Sequence, residues 1–167
     1  MGALASRRLL VRVAGRLSSW LALAGGAITI AVAALVTVSV VLRWLTGQAI
    51  SGDFEIVQMT TALAVFAYLP ACQWRGGNIV VDVFTLNWPK PALRLLDAGY
   101  DVLYAVVAAF ISWRLIVGAT DAVTSKTETM VLGLPEGWAI AMCAAMAGFL
   151  SVAALASALN RFSGEPA

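Results

Sequence analysis

Long runs without a charged residue alternate with short polar stretches, and the runs set the architecture. The first extends from 20 to 42, the second from 56 to 74 and the last from 137 to 159. At about 1.5 Å per helical residue, each is long enough to cross an apolar layer of about 30 Å. The third run is interrupted. It lies near 97–119, begins on Asp97 and contains Asp101 and Arg114, with the apolar block from Val102 to Trp113 between the last two. Those two charges stand about 20 Å apart along a helix axis. A span centred near Ala108 therefore places each close to a headgroup region, where Arg114 extends its long stem outward. The pattern predicts an all-α integral membrane protein with four transmembrane helices at about 20–42, 55–75, 97–119 and 136–159. They form a single membrane domain over 1–167, with a basic arm at 1–19 and a short tail at 160–167.

The connection between the second and third runs is more than a loop. Asn78 is placed to cap a short helix that carries Ile79, Val80, Val83 and Phe84 on one side. Trp88 is an interfacial aromatic, and Pro89 and Pro91 end the piece. This predicts an amphipathic helix at about 78–88 lying in the membrane surface. Pro91 suits the first turn of a further helix leading through Leu93, Leu95 and Leu96 into the third span.

Composition agrees. Hydrophobic residues make up 61% of the chain and charged residues only 12%, where a water-soluble domain carries about 25%; mean hydropathy is +0.89. The net charge of +2 does not point to nucleic acid, because the basic residues flank apolar runs, as membrane anchors do. Histidine is absent. That excludes bis-histidine haem, histidine metal sites and Ser-His triads, and the pattern calls for no cofactor. Cys72 and Cys143 both lie within apolar runs and read as small buried hydrophobes. Arg7, Arg8, Arg12, Arg16, Arg75, Lys90, Arg94 and Arg161 fall on one side of the predicted topology; Arg43, Arg114 and Lys126 fall on the other. The excess places both termini in the cytoplasm. Ala31-Val32-Ala33 resembles a signal-peptidase site, but the apolar run continues past it, as in a retained anchor.

The ends of the spans carry a polar signature. Gly52-Asp53-Phe54-Glu55 opens the second span, where Asp53 can cap the helix and Glu55 suits its dipole. Alternatively, Asp53 or Glu55 pairs with Arg43 or Arg114 to fix the helices or face a partner. Arg75 complements the dipole at the other end, and Gly76-Gly77 supply a left-handed stop. Asp82 needs a partner at the membrane surface, and Arg75 is the nearest. Pro135 and Glu136 suit the first turn of the fourth helix, and Trp138 is an interfacial anchor.

The centres of the predicted spans hold no Asp, Glu, Lys or Arg. Transport sites normally carry polar groups at that depth. The hydroxyls available there, Thr37, Thr60, Thr61 and Ser112, are expected to bond their own helix backbone. Gly25-Gly26 and the alanines of the fourth span allow close helix packing, internal or against a partner.

Val41-Leu42-Arg43-Trp44, Gly52-Asp53-Phe54-Glu55, Arg75-Gly76-Gly77-Asn78-Ile79-Val80-Val81-Asp82, and Leu134-Pro135 with Trp138 follow one another in a familiar order. In them the chain resembles the DctQ-like small permease subunit of tripartite ATP-independent periplasmic (TRAP) transporters. The resemblance runs from about Arg16 to Arg161, with Asn78 where the family usually has His. It implies a bacterial inner-membrane protein, not an enzyme, within a sodium-driven importer of organic acids. The implied partners are a large elevator-type permease subunit, for which this chain is a scaffold, and a transiently docked periplasmic substrate-binding protein, in a setting of membrane lipid. Arg43, Asp53, Glu55, Arg75, Gly76, Gly77, Asp82, Pro135 and Trp138 are the candidate interface or signature residues. A self-sufficient small oligomeric transporter is the alternative, and it requires a membrane-embedded carboxylate, for which Glu55 is the best placed.

Overall fold

The computed structural model describes residues 2–78 and 89–162, and these fold into four helices. They are α1 (Gly2–Thr46), α2 (Asp53–Trp74), α3 (Lys90–Thr124) and α4 (Gly137–Phe162). Each contains a stretch long and apolar enough to cross a membrane: Val13–Thr46, Asp53–Trp74, Leu95–Thr124 and Gly137–Leu159. The expectation of four membrane helices is met. The surface helix expected at 78–88 lies outside the described residues, apart from Asn78.

Connectivity makes two antiparallel hairpins, α1–α2 and α3–α4, which meet where α2 packs on α4. The bundle has a loop end, formed by the connections 47–52 and 125–136, and a terminal end, where α1 begins, α2 stops, α3 starts and α4 finishes. α1 has 45 residues, or about 68 Å, twice what a membrane needs. The polar arm and the first span are one unbroken helix. α3 has 35 residues and also exceeds a membrane thickness; Pro89 caps it in an extended conformation, and a proline occupies its first turn.

Small residues set the helix contacts. On α3 the buried positions are Ala98, Asp101, Ala105, Ala108, Ser112 and Ala119; on α4 they include Cys143, Ala147, Leu150, Ala154 and Ala158. Their spacing of three and four makes one narrow seam per helix, as in coiled-coil packing. Lipid gives helices little hydrophobic reason to associate, so close backbone approach must supply the attraction. Hydroxyl groups strengthen the seam. Ser112 donates across it to the Ala144 carbonyl at 2.8 Å, and Ser151 returns a bond to the Ala105 carbonyl at 2.9 Å. Thr37 and Thr60 bond their own helix, as expected. Ser112 does not, because the alanines facing it bring a neighbouring backbone within reach.

The α1–α2 contact is equally close. A Cβ at Gly25 would stand 3.2 Å from the Ala67 Cβ and 3.3 Å from the Ala64 carbonyl oxygen. Thr29 and Tyr68 share a hydroxyl–hydroxyl bond of 3.0 Å one turn away. Gly25→Leu is expected to force the hairpin apart and to cost about 1–3 kcal/mol, the usual effect of overpacking. Unfolding in mixed micelles measures this; an unchanged midpoint would show that the two helices do not rely on this contact.

α2 ends as the glycines foretold. Gly76 adopts φ +62°. Its amide donates to the Gln73 carbonyl, and the Gly77 amide donates to the Cys72 carbonyl at 2.9 Å. These are the two bonds of a Schellman stop.

Candidate functional site

The polar residues gather at the two ends of the bundle, and each end uses them to tie helices or loops together. At the loop end, Gly52 precedes α2 at φ +79°, a conformation that L side chains resist. The Leu132 side chain fills the space where a Cβ would stand. Asp53 is the first helical residue instead of the cap. Its carboxylate accepts a 2.5 Å bond from the Ser39 hydroxyl of α1 and a 2.7 Å bond from the Phe54 amide. The Ser39 oxygen in turn accepts from the Ile50 amide at 3.3 Å. Ser39 is 2% exposed despite its position near the end of a long helix. Asp53, through Ser39, thus holds α1, α2 and the 47–52 turn together.

Glu55 reaches the other loop. Its carboxylate accepts from the Val131 amide at 2.7 Å and the Leu132 amide at 3.0 Å. The Thr129 hydroxyl and the Met130 amide are also directed at it. The loop closes on itself around this anchor. Glu128 and Pro135 form an isolated antiparallel bridge. The Thr129 amide bonds the Leu134 carbonyl at 3.0 Å, the Gly133 amide bonds the Thr129 carbonyl at 3.1 Å, and the Leu134 amide bonds the Thr129 hydroxyl at 3.0 Å. Met130 and Val131 project from the tip, fully and largely exposed.

The expected pairing of Asp53 or Glu55 with Arg43 or Arg114 is therefore not what these carboxylates do. Backbone amides and a serine hydroxyl lie closer to them and need acceptors. Arg43 lies exposed in the last turn of α1. Arg114 lies exposed on α3, its guanidinium carbon 5.9 Å from the centre of the Trp113 ring. Pro135 and Glu136 precede α4, and the Glu136 carbonyl accepts the Ala139 and Ile140 amides. Pro135 thus belongs to the loop bridge, not to the first helical turn. Trp138 stands at the start of α4, half exposed.

At the terminal end Arg75 occupies the C-cap position of α2 and is exposed, followed by Gly76 and Gly77. Asp82 lies outside the described residues. The residues that join the helices here were not anticipated. Gln73 and Asp101 are 4% and 7% exposed, and the Gln73 amide donates to the Asp101 carboxylate at 2.9 Å. The Asn78 side-chain amide donates to the Gln73 side-chain oxygen, and the Cys72 thiol reaches the Asn78 side-chain oxygen at 3.5 Å. Within an interior that is mostly alanine, this chain couples α2, α3 and the turn after α2.

Cross-helix bonds also fix the height of Arg114. Ser112 sits between Ala144 and Gly148 of α4, and Gly148 is the middle residue of the Gly137–Leu159 span. Arg114 is then level with Ala144, about 6 Å from mid-span. The Gln73–Asp101 bond gives an independent measure along α2. It places Arg114 level with Thr60, about 5 Å from the middle of that helix. By this register Arg114 stands beside the candidate spans Asp53–Trp74 and Gly137–Leu159, about 10 Å from the loop end of each.

The family described as tripartite ATP-independent periplasmic transporters, DctQ component, matches residues 32–164. Comparison with curated proteins and with solved structures found no match. The matched region includes the three later helices, both loop-end ties and the Asn78–Gln73–Asp101 chain. The chain belongs to the DctQ family, the small permease component of TRAP transporters.

Proposed function

We propose that this DctQ-family chain is the scaffold subunit of a sodium-driven, binding-protein-dependent importer of organic acids. In this reading it packs beside a large elevator-type permease subunit in the bacterial inner membrane. The subunit that moves substrate needs polar groups free to bind it, and the scaffold does not. The observation that carries the reading is how the polar side chains within these spans are used. Ser39 with Asp53, Thr29 with Tyr68, Gln73 with Asp101, Ser112 with Ala144 and Ser151 with Ala105 each join one helix to another. These contacts brace the bundle, and Arg114 remains exposed on α3. The clustering of Arg16 and the other basic residues of the α1 arm at the terminal end supports a cytoplasmic location for that end. The loop end then faces the periplasm, where a substrate-binding protein docks transiently.

The test is reconstitution. The chain alone in vesicles with an imposed sodium gradient is expected to give no uptake of organic acids. Uptake is expected when the large membrane subunit and the binding protein are added. Sodium-dependent uptake by the chain alone would overturn the scaffold reading in favour of a self-sufficient transporter.

A further inference from the structure

Arg114 is exposed on α3 within the apolar stretch Leu95–Thr124. It lies about 10 Å from the loop end of both α2 and α4, inside the apolar layer. A guanidinium on a lipid-facing surface at that depth is costly and calls for a partner. Turning toward the nearer water is also the wrong direction for this side chain. α3 runs from the terminal end to the loop end, and helical side chains lean back toward the helix N-terminus. The Trp113 ring at 5.9 Å supplies a cation–π contact, which does not neutralise the charge. No carboxylate of the described residues shares its level. Asp53 and Glu55 are held by Ser39 and the loop amides, Asp101 stands about 20 Å away along the axis, and Asp121 about 10 Å.

The surrounding face has the features of a helix-docking surface. Leu103, Val107 and Phe110 continue from Arg114 along one side of α3, each about half exposed. Gly118 lies one turn further on, with nothing within 4 Å of where its Cβ would be. It leaves a dip one turn from Arg114, on the loop-end side, where a second helix can approach closely.

We propose that this face of α3 docks a transmembrane helix of the large permease subunit that carries an aspartate or glutamate level with Arg114. Charge complementarity selects the occupant. Lipid acyl chains carry no anion at this depth, and a second copy of this chain offers no carboxylate at the matching height among its described residues. The proposal rests on the reading of the chain as one subunit of a larger membrane assembly, and it specifies the surface used. The ion pair fixes register between two otherwise apolar helices, because only one sliding position brings the charges together.

The experiment uses the full chain co-expressed with the large subunit. Arg114→Leu is expected to reduce co-purification of the large subunit on the order of tenfold. The thermal midpoint of the isolated chain should be unchanged or raised, since an exposed charge leaves the apolar zone. Arg114→Lys should retain most of the association, and Arg114→Glu should abolish it. A photo-activated benzoylphenylalanine at Phe110 should cross-link to the large subunit, at a helix containing Asp or Glu. If the wild-type chain brings down no large subunit, the scaffold reading itself fails. If it does so, but Arg114→Leu associates normally and the Phe110 probe marks lipid or a second copy, the α3 interface alone is wrong.

Discussion

Gln73→Leu is expected to lower the unfolding free energy of the chain by about 1.5–3 kcal/mol, the usual worth of a hydrogen bond to a charged group. The reason is the environment. Gln73 and Asp101 are 4% and 7% exposed, among alanines that have no polar group to offer in exchange. Leucine matches much of the glutamine volume, so packing is not the main loss. What disappears is the 2.9 Å donor to the carboxylate and the acceptor for Asn78. Gln73→Glu should be worse, since it replaces the amide donor to Asp101 with a second carboxyl group, and two like charges in contact repel. Unfolding in mixed micelles at neutral pH reads both. An equal and small effect of the two variants would show that the pair contributes little to the α2–α3 connection.

Glu55→Ala should act locally and strongly on the 125–136 connection. The carboxylate accepts from Val131 and Leu132 across two helices. Without it those amides have no acceptor among the described residues. Hydrogen exchange at Val131 and Leu132 is expected to accelerate on the order of tenfold or more, as local opening replaces a fixed loop. α2 should remain protected, because its helical bonds do not depend on this side chain. On the proposed scaffold reading, the assembled transporter should dock its binding protein less well while keeping its sodium affinity. Exchange rates unchanged by the substitution would mean that Thr129, bonded to Leu134 and Gly133, holds the loop unaided.

The helices were legible because membrane crossing leaves a one-dimensional record. Uncharged runs of sufficient length, Gly76 after α2 and the prolines before α3 all act within a few residues of their own position. The ties between helices leave no such record. Gln73 lies in a run read as apolar, and its partner Asp101 was assigned to the membrane surface. Nothing local says that Glu55 will reach a loop far along the chain, because its targets are backbone amides that any residue supplies. Acidic residues near arginines suggested ion pairs; amides within closer reach took the carboxylates. The depth of Arg114 depends on the sliding position of α3 against α4, which Ser112 and Ser151 set by reaching carbonyls on the opposite helix. That register is a property of two helices together, and span length alone does not give it.

The closed hydrogen-bonding of the 129–134 turn restricts how anything outside the membrane can recognise it. Val131 and Leu132 give their amides to Glu55, and Thr129, Gly133 and Leu134 give theirs within the turn. A visiting protein cannot extend a β-sheet here, because the main-chain donors that would stitch a new strand are already spent. Contact then falls to side chains, of which Met130 and Val131 protrude furthest, the methionine able to adapt its shape to a partner. On the proposed reading, such a surface suits a soluble visitor that arrives, unloads and leaves.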